Sequence, residues 1–357
     1  MMMPLIQFPP FGLADLEKRK LLFDELEALT VWHRVHCDLY REILDRNRGS
    51  IENMKQIEDI PFLPVRLFKH LDLASVAQED IVKTVTSSGT TNQSVSRIFL
   101  DKETSAIQIR VLVKILQDFI GVHRMPMLII DHPNVVKNRL SFSARGAGIL
   151  GLSNFGSDHT YALKDETMDI DFEQIDSFLS KHSGKRILLF GFTFMVWQHF
   201  IRKLESTGRK LDISNGVLLH SGGWKKLESE AVSSREFKFR LKESTGIDRV
   251  HNFYGMAEQV GTVYVECESG RLHVPVFSEV IIREPMNWGS LGLHEQGLVQ
   301  VLSILPRSYP GHSLLTEDLG AVTGVDDCPC GRLGKTIRID GRLAKAEVRG
   351  CSDTQAV

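Results

Sequence analysis

The sequence predicts an α/β fold: doubly wound, mostly parallel sheets with helices, plus a smaller antiparallel β subdomain. Three observations carry this expectation. After the prolines at 61 and 64, short β-type runs alternate with helical stretches, the pattern of βαβ units. From Thr262 onward β runs follow one another closely, as antiparallel strands do. The 357 residues are 42% hydrophobic and 25% charged, which supplies a sizeable core for two or more domains.

Taken in order, the chain opens on helices. From Ala14 to Leu44, Leu16, Leu21, Leu22, Leu26, Leu29 and Val31 recur at helical spacing, which predicts two amphipathic helices packed on a core. Strands are expected at Val82–Thr86, Met127–Asp131, Arg186–Phe190, Gly216–His220 and Arg249–Tyr254. Helices are expected at Thr104–Ile120, Asp171–Ser180, Val196–Ser206 and Lys225–Thr245. The later β runs are Thr262–Glu266, Glu279–Arg283, Leu298–Leu305 and Lys335–Asp340. The expected divisions are an N-terminal helical segment to residue 60, an α/β core over 61–261, a β subdomain over 262–340, and a hinge-like stretch and tail over 341–357.

Charge excludes some functions. Lys and Arg number 43 and Asp and Glu 45, a net charge of −2, so no basic field draws the chain to nucleic acid or an anionic membrane. The apolar run Ile187–Trp197 is far shorter than the ~20 residues that span a bilayer. The N-terminal segment has prolines and an acidic pair where a signal peptide carries a basic region and an apolar stretch, so a cytoplasmic protein is expected. Five cysteines, an odd count without a secretory signal, point to metal ligation or a reactive thiol before a disulfide framework.

Three local strings carry chemistry. Thr86-Ser-Ser-Gly-Thr-Thr-Asn92 follows a strand-like run and offers backbone N–H groups, hydroxyls and the close approach glycine allows, which suits a polyphosphate. By itself the string reads more readily as a polar Ser/Thr turn, and no Gly-Lys-Ser/Thr makes it a Walker loop. Asn252-Phe-Tyr-Gly-Met-Ala-Glu258 places a tyrosine that can cover a purine, a glycine turn, and a carboxylate that can hold Mg²⁺; a core aromatic and a solvated Glu are the alternatives. Leu315-Thr-Glu-Asp-Leu-Gly320, with Ile339-Asp-Gly-Arg342 beyond it, offers an Asp for a ribose diol and an Arg for ribose or phosphate oxygens, or two turns.

Their joint order is more specific than any one of them. The Ser/Thr/Gly loop, then Ser221-Gly-Gly-Trp224, Tyr-Gly-x-x-Glu, Thr-x-Asp and Gly-Arg, resembles the adenylate-forming superfamily of acyl-CoA synthetases. Within it the chain is most similar to the acyl-protein synthetases of bacterial bioluminescence, through Arg66-Leu-Phe-Lys69 and Gly341-Arg-Leu to Arg349-Gly-Cys-Ser352. Glu266-Cys-Glu, Leu272-His-Val274 and Cys328-Pro-Cys-Gly-Arg332 resemble phenylacetate-CoA ligases. The likeness spans roughly residues 60–352.

The resemblance implies ATP-dependent activation of a carboxylic acid, a fatty acid in this subfamily, to acyl-AMP with release of pyrophosphate. Ser87, Ser88, Gly89, Thr90 and Thr91 match its phosphate loop, and Gly222 and Gly223 the turn bordering adenine. Tyr254 with Gly255 matches the purine-stacking motif, Glu258 the Mg²⁺ carboxylate, Asp318 the ribose-binding Asp, and Arg342 the hinge Arg. An acyl tunnel is then expected near Phe192, Phe194, Trp224 and Phe253, aromatics that also serve as plain core.

Three departures stand out. Asn92 replaces a second Gly with Arg97 as the nearest cation, Ala257 replaces a Thr or Ser, and the fold is expected to lack the usual C-terminal lid domain with its catalytic Lys; Lys345, in the hinge-like stretch, is a candidate substitute, with a solvated Lys as the alternative.

The cysteines separate into two sets. The resemblance implies that Cys351, on the tail, accepts the acyl group as a thioester and passes it to an acyl-accepting reductase or carrier protein; an inert thiol is the alternative. Cys267, His273, Cys328 and Cys330 make a candidate structural Zn²⁺ set. Other readings of the whole chain are an acyl- or aryl-CoA ligase, an aryl-adenylating biosynthetic enzyme, or a non-catalytic nucleotide- or acyl-binding subunit. Homo-oligomer formation is left open.

Overall fold

The computed structural model describes residues 4–46, 54–87, 95–136, 144–164, 167–224 and 230–343. These residues form two compact units. One gathers 4–87, 95–119 and 254–343, and the other 120–253.

The unit of residues 120–253 is built on the parallel sheet. Its strands lie in the order Gly156–Tyr161, Met125–Ile129, Ile187–Phe192, Gly216–Ser221 and Arg249–Gly255, and every neighbouring pair is parallel. All residues of Met125–Ile129 and Ile187–Phe192 are buried, as strands covered on both faces require, and this is why they read as unbroken apolar runs. The Gly156–Tyr161 strand, sequence GSDHTY, escapes prediction because it has neither alternation nor an apolar run.

Two helices differ from expectation. The one expected from Lys225 begins at Ser234, because the Ser233 side chain accepts from the Glu236 N–H at 3.2 Å and so caps it; residues 225–229 lie outside the described residues. The stretch expected as one helix over Val196–Ser206 instead passes through a π-helical turn, Val196–Ile201, before resuming an α-helix over Arg202–Thr207. The wider turn keeps Val196, Trp197, Phe200 and Ile201 all buried.

The other unit carries the antiparallel strands, in the order Ser278–Arg283, Gly297–Ser303, Ser313–Val325, Lys335–Arg342, Leu272–His273 and Val263–Glu266. Ile81–Thr86 and Arg97–Asp101 pair separately as a two-stranded ribbon. Against these strands packs the helix Asp38–Arg46, through a core that includes Tyr40, Leu44, Phe68, Val280 and Val299, with the helix Asp15–His36 beside it. The inward face of the first helix is Leu22, Leu26, Leu29 and His33. Leu16 (85% exposed) and Val31 (47%) point outward, contrary to expectation, because they fall off that stripe.

Polar groups fix the docking of this helix. His33 bonds Ser75 Oγ through Nδ1 at 2.8 Å, Thr30 Oγ1 lies 3.0 Å from His312 Nε2, and the two imidazoles stack at 4.9 Å. Lys18, fully buried, lies 3.2 Å from Glu279, and Lys335 is 3.2 Å from the same carboxylate.

Burial holds His312 and His220 neutral, each pushed down to about 3. A buried imidazole that stays neutral binds fewer protons than the unfolded chain between 6.5 and its folded value. Its stabilising contribution is complete above pH 6.5 and is lost as pH falls towards 3. Each ring is therefore expected to cost roughly 2 kcal/mol of stability between pH 7 and pH 5. Thermal melts at the two pH values check this, and a midpoint unchanged at pH 5 overturns it.

Candidate active site

A strand pair builds the centre of the site. The register of Ser313–Val325 on Lys335–Arg342 sets Asp318 opposite Arg342, and Arg342 Nε lies 3.4 Å from Asp318 Oδ1. The Tyr254 hydroxyl donates to Asp318 Oδ2 at 2.6 Å. Burial, and then the charge of Asp318, push this phenol well above its ordinary value, so it remains a donor. Thr316 Oγ1 accepts from the Asp318 N–H at 3.1 Å and fixes the turn of backbone that aims the carboxylate. Arg66 pairs with Glu317, which brings the Arg66-Leu-Phe-Lys69 string to the same strand.

Glu258 sits on the short turn Ala257–Gln259 that follows Tyr254-Gly255, and it is buried. The turn is locked from three sides. The Gln259 side-chain amide donates to the carbonyls of Val301 and Gly311, at 3.1 and 2.9 Å, and the Tyr309 hydroxyl donates to the Glu258 carbonyl at 3.0 Å. Gly311 has to be glycine, since a Cβ there would lie 2.9 Å from that carbonyl and 2.3 Å from the Tyr309 ring. Burial raises the Glu258 carboxyl, while Ser96 and the charges of Lys69 and Arg342 pull it down. A buried carboxylate, whose charge burial disfavours, is suited to oxygen ligation of a hard cation such as Mg²⁺.

The phosphate-loop candidate is described only at its edge. Ser87 N donates to the Ser96 carbonyl at 3.1 Å and Ser96 N donates to Ser87 Oγ at 2.9 Å, which closes the base of the hairpin. Ser88, Gly89, Thr90 and Thr91 lie outside the described residues, as do Lys345 and Cys351.

In the 120–253 unit, Gly222 and Gly223 follow the carboxyl end of the Gly216–Ser221 strand. Gly222 has φ +84°, a conformation that favours glycine. The Ser221 hydroxyl donates to the Phe253 carbonyl at 2.8 Å. Trp224 packs edge-on against Trp197 at 5.4 Å. Phe192 is buried against Phe190 at 5.7 Å, and Gly148 makes room for its ring, since a Cβ there would lie 2.9 Å from it. Phe194 and Phe253 are half-buried.

Sequence reasoning missed a polar cluster at the carboxyl end of Met125–Ile129, where ligands of parallel sheets bind. Asp131 is buried there, with Arg145 Nε at 3.6 Å and His132 Nε2 at 3.9 Å. The signal was an Asp directly after an apolar strand, Met127-Leu-Ile-Ile-Asp131. The structure does bring Cys267, His273, Cys328 and Cys330 together, with ligand atoms all within 4.8 Å of one another.

Comparison with known proteins identifies the family. The family model described as acyl-protein synthetase, LuxE, matches residues 4–356. The long-chain-fatty-acid–luciferin-component ligase of Aliivibrio fischeri is 24% identical over 351 residues, covering 96% of this chain and 90% of that protein. The protein of the same name from Vibrio harveyi is 23% identical over 350 residues, covering 95% and 88%. Among solved structures, 2-hydroxyisobutyryl-CoA ligase in an open conformation, in complex with 2-HIB-AMP and CoA, shares the fold. It superposes with a TM-score of 0.71 at 16% identity, covering 94% of this chain and 77% of that one. With motifs, fold and a match along nearly its whole length in agreement, the chain belongs to the LuxE acyl-protein synthetase family, an enzyme of the ATP-dependent, adenylate-forming carboxylate ligases.

Proposed function

We propose that this chain activates a fatty acid with ATP, forming acyl-AMP and releasing pyrophosphate, and then passes the acyl group to a protein thiol. The observation that carries the site assignment is the Tyr254–Asp318–Arg342 cluster, which a chain of this family holds on the turn and strands that bear its nucleotide motifs. Asp318 accepts the ribose diol, Tyr254 covers the purine while its hydroxyl stays on Asp318, and Arg342 supports charge on the phosphates. By the family resemblance, Ser87 to Thr91 serve as the phosphate loop, and Gly222 and Gly223 as the adenine turn.

The first step needs no protein nucleophile. The substrate carboxylate attacks the α-phosphorus and pyrophosphate leaves, so the chain supplies positioning and electrostatic support. Glu258 suits Mg²⁺, because burial disfavours its charge and a cation beside it restores what burial removes. Bound there, Mg²⁺ would neutralise charge on the departing phosphates.

In the second step the Cys351 thiolate attacks the acyl carbonyl, a thioester forms and AMP departs. A second protein, an acyl-accepting reductase or carrier, then takes the acyl group. This reading places the enzyme in the cytoplasm. Among the described residues no helix is long and apolar enough to cross a membrane.

ATP–pyrophosphate exchange with a panel of fatty and aromatic acids tests the proposal. Exchange stimulated by a long-chain fatty acid is expected, and no exchange with any acid refutes it. For the second step, Cys351→Ala is expected to abolish covalent labelling by a radiolabelled fatty acid plus ATP and to leave exchange intact. Undiminished labelling of the variant rules out that residue as the acceptor.

A further inference from the structure

The four residues Cys267, His273, Cys328 and Cys330 come from two connections in the antiparallel unit. Cys267 directly follows the Val263–Glu266 strand and opens a tight turn, in which the Gly270 N–H donates to the Cys267 carbonyl at 2.9 Å. His273 lies on the next strand, which pairs with Lys335–Arg342. Cys328 and Cys330 lie in the turn just before that partner strand, where the Gly331 N–H donates to the Cys328 carbonyl at 3.0 Å and Gly331 takes φ +83°. Strand pairing therefore brings the two turns side by side, 61 residues apart in sequence between the first two cysteines.

The spacing of the ligand atoms is that of a tetrahedron around an ion. Cys267 Sγ and Cys328 Sγ are 3.7 Å apart, and Cys330 Sγ is 3.3 Å from His273 Nε2. With Zn–S near 2.3 Å and Zn–N near 2.0 Å, a tetrahedral site has an S···S edge of about 3.8 Å and an S···N edge of about 3.5 Å. A disulfide would need sulfurs at about 2.05 Å. Cys267 and His273 are fully buried, and among the described residues His273 Nδ1 has no hydrogen-bond partner.

We propose that Cys267, His273, Cys328 and Cys330 bind one zinc ion through all four side chains, closing a structural site that staples the two turns together. Binding converts three thiols to thiolates and releases three protons, so the Zn(Cys)₃(His) centre carries one net negative charge. Arg332, two residues after Cys330, is the adjacent cation. Its guanidinium donates to Asp118 Oδ1 at 2.6 Å and to Glu268 Oε2 at 3.0 Å, and lies 4.1 Å over the Phe119 ring. The zinc therefore fixes the turn from which Arg332 holds the end of the Lys102–Ile120 helix. With four protein ligands no position is open for a substrate, so the role is stability rather than chemistry. Cys330 borders an open cleft lined also by Phe11, Asp118, Glu268 and Arg332, which gives solvent a route to the ion.

Metal analysis of the full chain, purified under reducing conditions without chelator, tests this independently of any activity. About one zinc per chain is expected, falling at least about tenfold in Cys328→Ser and in His273→Ala. Because either variant can fail to fold, the unaltered protein is also stripped with a thiol-modifying reagent and chelator, reduced, and titrated with Co²⁺. A thiolate-to-cobalt charge-transfer band with tetrahedral visible bands is expected. Folded, reduced protein that contains no zinc and gives no such band overturns the proposal. So does a Cys267–Cys328 disulfide in protein that takes up no metal after reduction.

Discussion

Asp318→Ala is expected to lower ATP–pyrophosphate exchange by about a hundredfold or more while leaving the thermal midpoint within a few degrees of the parent. The carboxylate is assigned two hydrogen bonds to a ribose diol, and hydrogen bonds to a charged group contribute about 1.5–3 kcal/mol each. Losing both predicts a 10²–10⁴-fold loss, roughly 3–6 kcal/mol. The substitution also releases Tyr254 and Arg342, which bond and pair with the two carboxylate oxygens, so positioning is lost along with binding. Tyr254→Phe separates these effects. It removes one hydroxyl and leaves Asp318 in place, so a smaller loss, about tenfold, is expected. An Asp318→Ala protein that retains exchange within twofold of the parent refutes the nucleotide-site assignment.

The largest stability effect is expected at Glu279. Its carboxylate is fully buried between Lys18 on the first helix and Lys335 on the Lys335–Arg342 strand, each at 3.2 Å. Burial alone raises a carboxyl, but the charges of Lys18 and Lys335 and the Val280 N–H outweigh it and bring Glu279 down to about 2. Glu279→Ala leaves two lysine charges facing a vacated apolar site, which predicts a loss of about 3–5 kcal/mol and a drop in midpoint of roughly 10 °C. Replacing all three residues by apolar ones of similar volume is expected to recover much of that loss, since the desolvation cost of the ions goes too.

The pH dependence gives a second check. A carboxyl held at about 2 in the folded chain contributes stability that is complete above about pH 4.5 and is lost as pH falls towards 2. Asp15 runs the other way, because burial and Glu279 raise it. Glu279→Gln is thus expected to melt lower at pH 7 and to lose less on acidification than the parent. Parallel midpoint-against-pH curves contradict the assignment.

Where strands were legible, burial explains why. Ile187–Phe192 and Gly216–Ser221 are covered on both faces and read as apolar runs, whereas Gly156–Tyr161 at the sheet edge reads as a loop. The Ser313–Val325 strand was represented in the sequence only by its Thr-x-Asp motif, because Thr316, Glu317 and Asp318 interrupt its alternation for the sake of the site. The helix face was misjudged at Leu16 and Val31 because periodicity counts apolar residues and cannot tell which stripe meets a partner.

Residue types and their order are legible in the chain alone: a hydroxyl-rich loop, Tyr254 at a strand end with Glu258 four residues on, Asp318 and Arg342 in later β runs, and cysteines paired around Pro329. These are local signals, legible because each chemistry needs a particular side chain at a short spacing. Only the tertiary structure decided which of them meet. Asp318 faces Arg342 because the register, with its shift between Leu319 and Gly320, puts both on one side; a slip of one residue would turn them to opposite faces. Likewise Cys267 reaches Cys328, and Lys18 reaches Glu279, through strand pairing and helix docking across long stretches of chain. No local pattern encodes such meetings, because register and packing are settled by the fit of the whole core.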